Sequence, residues 1–323
     1  MNARFNVVMT APLLAGEAVA VLERAGCAIH YMPPYPSAEA VAALTAQVQA
    51  DAILTRQGPV GAAAMDASGR LQVVARHGVG VDDVDLAAAA TRGILVTRAP
   101  GSNSRAVAEH TLALVLALAK DLRGRGGSIA EGAWRGAATK VRDIHGMRLG
   151  LLGFGAIGRQ VAGLAHGFGM RVTAFDPAVT DLRMAGVWHE AELRRLLAVS
   201  DVLSVHCPYT ATTHHIIDAA ALAAMPAGSY VINTARGGIV DEAALAASLD
   251  SGHTAGAGLD VFEQEPPPPD HALRRHPRVL VTPHVAGVTD GSLVNMGVMA
   301  AECIVACLTG ATVPPERIVR PNK

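Results

Sequence analysis

Short aliphatic runs alternate with longer Ala-rich stretches from the start of the chain. The runs at 5–9, 52–55, 72–75 and 94–97 have the length and β-branched content of buried strands. The stretches at 16–25, 38–50 and 84–91 read as helices. Strands separated by helices predict a parallel sheet, because parallel neighbours need a crossover connection. Arg4 followed by apolar residues is a faint echo of a leader. Pro12 and Glu17 interrupt it, so strand, turn and helix is the better reading.

The pattern changes at residue 102. Ser102, Asn103 or Ser104 can cap a helix over about 105–122, with Glu109 in its early part. The Gly-rich, charged LRGRGGSIAEGAWRG that follows predicts an arm. A second strand–helix series then opens with MRLGLLGFGAIGRQ and continues to about 288, with strands at 149–152 and 171–175 and a helix at 159–168. Within it, the apolar run 279–282 ends at Pro283, which has no N–H for a ladder, so His284 is expected where strand gives way to loop. A final helix is expected at 292–308. The longest apolar helical run, LALVLALA at 112–119, is far short of the ~20 residues that span a bilayer, so no membrane segment is expected.

The 323 residues suggest about two domains. Aromatics are only 3%, so the core must rest on Ala, Val, Leu and Ile. Lys plus Arg is 27 against 28 for Asp plus Glu, which gives no overall pull toward nucleic acid or anionic membrane. Cys27, Cys207, Cys303 and Cys307 form no CxxC. Cys303 and Cys307 stand one helical turn apart, compatible with a metal pair, but buried apolar thiols are the simpler expectation. Without a disulfide pattern, a reducing, cytoplasmic location is expected. The adjacent His214 and His215 have no third ligand near them in sequence, so they read as a loop or helix start and no metal is expected.

The strongest motif is Gly153-Phe154-Gly155-Ala156-Ile157-Gly158, with an apolar strand before it and a helix after it. Glycines there permit a tight turn and let backbone N–H groups approach a pyrophosphate at a helix N-terminus. Asp176 follows Gly158 by 18 residues at the end of the next strand, where a carboxylate can accept hydrogen bonds from a ribose. Its charge would repel a 2′-phosphate and no Arg or Lys follows until Arg183, so NAD is favoured over NADP. Such a motif usually opens its domain. Its position near mid-chain predicts an independent α/β unit before it, and a cofactor in a cleft between two domains.

Around that core, NTARGG (233–238), DVFEQEP (260–266), TPH (282–284), RHGVGVDDVD (76–85) and VDEAAL (240–245) resemble the D-isomer-specific 2-hydroxyacid dehydrogenase family, nearest its phosphoglycerate dehydrogenase branch. The resemblance covers nearly the whole chain. It implies two Rossmann-like, flavodoxin-like α/β domains: 1–99 plus 290–323 for substrate, and 100–289 for NAD. It also implies a homodimer built on the helix from about 105 and the segment after it.

Oxidising a 2-hydroxy acid sends a hydride from C2 to nicotinamide and a proton to a base. A group titrating near neutrality serves both directions, which points to histidine. A carboxylate on its other ring nitrogen fixes the tautomer, and a guanidinium binds the substrate carboxylate through paired donors. The resemblance assigns these parts to His284, Glu265 and Arg236. Taken singly, each has a plainer reading: a surface or capping histidine, a solvated glutamate beside PPPP, a turn arginine before Gly-Gly. Formate dehydrogenases of this superfamily carry Gln where Glu265 stands.

The resemblance further places Val79, Gly80 and Arg56 on the substrate. It places Gly153, Gly155, Ala156, Ile157, Gly158 and Asp176 on the cofactor, with Cys207, Pro208, Thr234, Ala235, Asp260 and Gly287. Arg56, Arg76, Arg135 and Lys140 are the candidates for a substrate phosphate. Gln57 and His77 depart from the family pattern at that end, so hydroxypyruvate, glyoxylate or another short 2-oxo acid stays open beside D-3-phosphoglycerate. The chain ends at 323, so feedback through a C-terminal regulatory domain is not expected. Some relatives of this fold are NAD(H)-sensing corepressors that keep the same three residues. The absence of a long polar tail or a peptide-binding insertion speaks for the enzyme.

Overall fold

The computed structural model describes residues 4–134, 140–179 and 184–320. The chain forms two compact units, Met1–Asn103 with Val288–Lys323, and Ser104–Gly287.

The first unit holds β1 (Phe5–Met9), β2 (Cys27–Tyr31), β3 (Ala52–Thr55), β4 (Val73–Arg76) and β5 (Leu95–Thr97). They form one sheet in the order β2-β1-β3-β4-β5, every pair parallel. Its helices are α1 (Gly16–Arg24), α2 (Ala38–Val48), α3 (Ala62–Asp66) and α4 (Leu86–Thr91). Alternation along the strands divides the core. Val7 and Met9 pack with Leu22 of α1 and with Ala300, Ala301 and Ile304 of the helix Asp290–Thr309. Val8, Ile53 and Val74 pack on the opposite face with Val41, Met65 and Ala89. The helix Asp290–Thr309 is long and apolar enough to pass for a membrane span by composition. Its buried positions, among them Met296, Ala300, Ile304 and Leu308, recur at the helical period, as in a core helix. A Thr289–Ser292 capping box starts it.

The second unit begins with α5 (Ser104–Ala119) and α6 (Leu122–Ala130). The arm expected from the glycines of LRGRGG is therefore helical in its first part. No residue of α6 is buried; Arg125 pairs with Asp121 one turn back, and Ser128 Oγ donates to the Gly124 carbonyl. The rest is β6 (Arg148–Leu152), α7 (Ala156–Gly167), β7 (Arg171–Phe175), β8 (Val187–His189), α8 (Leu193–Ala198), β9 (Val202–Val205), α9 (Ala219–Ala224), β10 (Ser229–Asn233), α10 (Glu242–Asp250), β11 (Thr254–Leu259) and β12 (Val279–Val281). Seven parallel strands lie in the order β12-β11-β10-β9-β6-β7-β8. The order reverses direction at β6, so β6 and β9 flank a switch point, the place where open α/β sheets bind ligands beyond the carboxyl ends of their strands.

Candidate active site

In the second unit, six carboxyl ends on one edge of the sheet carry the expected groups. β6 leads into the Gly-rich turn, β7 into Asp176, and β9 into Cys207 and Pro208. β10 leads into Thr234–Arg236, β11 into Asp260–Glu265, and β12 into His284.

The three glycines of the turn do different work. Gly153 has φ +101, and a Cβ there would stand 2.6 Å from the Cys207 nitrogen. Only glycine tolerates both the conformation and the approach. At Gly158 a Cβ would meet the Gly153 carbonyl oxygen at 2.4 Å, so that position closes the turn onto α7. Gly155 caps α7 and has nothing within 4 Å of its missing Cβ. Gly155 and Ala156 are exposed, and Ile157 is half-buried. Open backbone at the N-terminus of a 12-residue helix fits a pyrophosphate. Asp176 stands beside it, with Oδ2 accepting from the Phe154 N–H at 2.7 Å and Oδ1 from the Ala178 N–H at 2.9 Å. The carboxylate thus also braces the turn. Arg183, the next cation in sequence, lies outside the described residues.

His284 and Glu265 meet. His284 Nδ1 lies 2.7 Å from Glu265 Oε2, and the other carboxylate oxygen accepts the Phe262 N–H at 3.1 Å. Burial pushes the Glu265 carboxyl up. The hydrogen bond and charge of His284, the Phe262 N–H and the Arg236 charge outweigh it and hold the group below its ordinary value. His284 has φ +54, an unusual backbone for a histidine, and its N–H donates to the Asp260 carbonyl at 2.8 Å.

Asp260 organises this loop. Its carboxylate is 1% exposed. Oδ1 accepts the Thr282 hydroxyl at 2.6 Å and the Val285 N–H at 2.9 Å, and Oδ2 accepts the Ala286 N–H at 2.8 Å. Since the Thr282 hydroxyl is spent on Asp260, His110 Nε2 is the donor in its 3.0 Å bond to that hydroxyl oxygen. Asp260 therefore faces the His284 loop and holds it on both sides.

Arg236 sits in a turn built by Asn233, whose Nδ2 donates to the Arg236 carbonyl and whose Oδ1 accepts the Ala235 N–H. Thr234 is buried, its hydroxyl 3.0 Å from that of Thr111 on α5, so it faces the helix. Ala235 packs against the core, Pro208 is exposed, and Gly287 is the last residue of this unit. Burial pushes the Cys207 thiol up to about 11, with the Asp176 charge adding to it, which keeps it protonated. Among the described residues, no group of three His, Cys, Asp or Glu is placed to hold a metal.

The substrate candidates belong to the first unit. Val79 and Gly80 are half-buried just beyond β4. Of the basic candidates, Arg76 is committed to Asp83 at 2.7 Å and to the Arg56 carbonyl at 3.0 Å. Arg56 keeps its guanidinium uncommitted among the described residues, while its N–H donates to Thr10 Oγ1. Lys140 is exposed, and Arg135 lies outside the described residues.

The family model for the D-isomer specific 2-hydroxyacid dehydrogenase NAD binding domain matches residues 112–286. The chain belongs to this family. Members similar to it include the D-3-phosphoglycerate dehydrogenase of Mycobacterium tuberculosis (42% identical over 273 residues, 84% of this chain and 52% of the relative). The hydroxypyruvate reductase of Thermotoga maritima is 39% identical over 244 residues, 74% of this chain and 78% of the relative. The solved TT0316 protein of Thermus thermophilus superposes with a TM-score of 0.87 at 35% identity, over 97% of this chain and 99% of that one. The chain spans about half the length of the phosphoglycerate dehydrogenases it matches. Gly155 and Asp176 lie within the residues matched by that model.

Proposed function

We propose that the chain is an NAD-dependent D-2-hydroxyacid dehydrogenase, interconverting a small 2-hydroxy acid and its 2-oxo acid. The observation that carries this reading is the 2.7 Å His284–Glu265 pair, within electrostatic reach of Arg236 and on the sheet edge that carries the Gly-rich turn. The Ser104–Gly287 unit holds the cofactor and the acid–base group. Val79, Gly80 and Arg56 of the Met1–Asn103 and Val288–Lys323 unit are the candidates for substrate contacts.

The Gly155–Ile157 turn and Asp176 would hold NAD, which would supply the hydride chemistry at C2. His284 handles the proton: with Nδ1 engaged by Glu265, Nε2 is left to accept it from the substrate hydroxyl in oxidation and give it to the carbonyl oxygen in reduction. Glu265, 2.7 Å from Nδ1, fixes the tautomer and the orientation of the ring. Arg236 binds the substrate carboxylate and polarises the C2 carbonyl with paired donors. Cys207, held as a thiol, takes no covalent part.

Hydroxypyruvate and phosphohydroxypyruvate are the leading oxo acids, after the names of the relatives. Arg56, whose guanidinium is uncommitted among the described residues, is the candidate to read a C3 substituent. The protein is proposed to act in the cytoplasm as a homodimer.

Steady-state assays with phosphohydroxypyruvate, hydroxypyruvate, glyoxylate and pyruvate, each with NADH and NADPH, test the proposal. Turnover of at least one with NADH is expected. Tight NADH binding without turnover of any would favour the sensor reading instead. His284→Ala should lower turnover on the order of 10²–10⁴-fold with NADH affinity retained. Near-normal turnover would remove His284 from the mechanism.

A further inference from the structure

We propose that His215 is a positioning residue that ties the Arg236 turn to the Glu265 loop, an inference that rests on the catalytic reading above. It holds one segment with its backbone and the other with its ring. Its N–H donates to the Gly238 carbonyl at 2.7 Å, two residues past Arg236. Its Nε2 lies 2.7 Å from Glu263 Oε1, two residues before Glu265. The ring is fixed on a third side by stacking on His214, with centroids 3.9 Å apart, and Asp241 Oδ2 lies 3.9 Å from Nδ1.

The backbone makes the side chain informative. His215 has φ +49, a conformation in which glycine meets no Cβ penalty. A histidine here strains the turn locally while its ring makes the contact to Glu263. A second clamp holds the same loop. Glu242 Oε1 accepts the Glu263 N–H at 2.8 Å, and its Oε2 lies 2.8 Å from His271 Nε2. The His271 ring stands edge-on to Phe262, 5.4 Å between centroids, and the Phe262 N–H is the one bound to Glu265. Glu242 anchors the loop to α10, whereas His215 connects it to the Arg236 turn. Loss of His215 should therefore loosen the geometry between the guanidinium and the His284–Glu265 pair without unfolding the sheet.

The test compares the parent with His215→Gly, Glu263→Ala and the double variant. Glycine suits the backbone at 215, so the thermal midpoint should stay near the parent's while kcat falls about 3- to 10-fold with NADH Kd unchanged. Glu263→Ala should lose a similar factor, and the double variant no more than the larger single loss. Amide hydrogen exchange should quicken in 236–238 and 262–265 in every variant and stay unchanged in β6 and α7. Unchanged kcat, losses that multiply in the double variant, or unchanged exchange in both segments would overturn the proposal. If the parent turns over no oxo acid, the dehydrogenase reading fails, and the exchange measurement alone decides whether His215 couples the two segments.

Discussion

Gly237 and Phe262 touch backbone to backbone: a Cβ on Gly237 would stand 1.9 Å from the Phe262 carbonyl oxygen and 2.5 Å from the Glu263 nitrogen. The residue after Arg236 is thereby pressed onto the segment that leads to Glu265. No flexible side chain lies between them, so the spacing of the two loops follows from main-chain contact. Gly237 is thus required by the close approach, whereas Gly238, with φ +74, is required by its backbone conformation.

Gly237→Ala should for that reason be costly in two ways. One loop must shift, at about 1–3 kcal/mol or more of overpacking, read as a lower denaturant midpoint. Because the displaced segment carries Glu265, kcat should fall further than stability explains, by at least tenfold at temperatures where the variant is fully folded. An alanine variant with parental kcat would show that the spacing of the two loops is not critical.

The glycines of the 153–158 turn predict opposite phenotypes from one chemical change. Gly155→Ala places its methyl in open space, so stability should hold within about 0.5 kcal/mol while NADH affinity drops, since the methyl stands where a pyrophosphate would approach. Gly158→Ala drives its methyl to 2.4 Å from the Gly153 carbonyl oxygen and should lower stability first. Thermal melts with and without NADH separate the two. A large stability loss in Gly155→Ala would contradict the open cradle.

Much of this was legible in the sequence. The runs at 52–55 and 171–175 are bounded aliphatic strands, and they are strands β3 and β7 to the residue. β11, TAGAGL, is hard to read as a buried strand, because its glycines serve packing: a Cβ at Gly258 would lie 3.0 Å from the Leu114 Cβ of α5. The helix α6 was hidden by its glycines, since propensity is a weak prior against context. Motif order names Glu265 and His284, but the anchoring of the His284 loop by Asp260 and the links of His215 and Glu242 are contacts across 21–48 positions. No local pattern reports such contacts.

Asp260→Asn tests the loop anchor. The parent carboxylate accepts three bonds from the 282–286 segment, whereas an amide offers one acceptor oxygen and turns a donor on a partner that is itself a donor. A loss of about 1–3 kcal/mol is expected from the unmatched buried groups. Turnover should fall with it, because His284 takes its backbone position from the same loop. A variant with parental stability would mean that the loop holds without these bonds.

The buried His77 and the half-buried His206 set the acid side of the stability profile. Burial lowers the His77 imidazole to about 4, with the Arg56 charge and then the Arg76 charge adding to burial's effect. Burial alone lowers His206 to about 3. In the unfolded chain both titrate near 6.5. Between 6.5 and about 4 the unfolded state therefore binds protons that the folded state refuses, so stability falls as pH drops through that window and the full loss from His77 is in place below about 4. Its share is on the order of 2–4 kcal/mol. Urea melts from pH 7.5 to pH 4 should show this decline, and His77→Gln should flatten it by up to one proton, because glutamine does not titrate. His77 has its Nδ1 buried without a hydrogen-bond partner among the described residues, and Gly297 packs on the Nε2 side at 3.4 Å from a built Cβ. Glutamine can thus lower stability at neutral pH, and the informative quantity is the slope with pH. An unchanged slope in His77→Gln would mean that His77 takes up its proton in the folded state as readily as in the unfolded one.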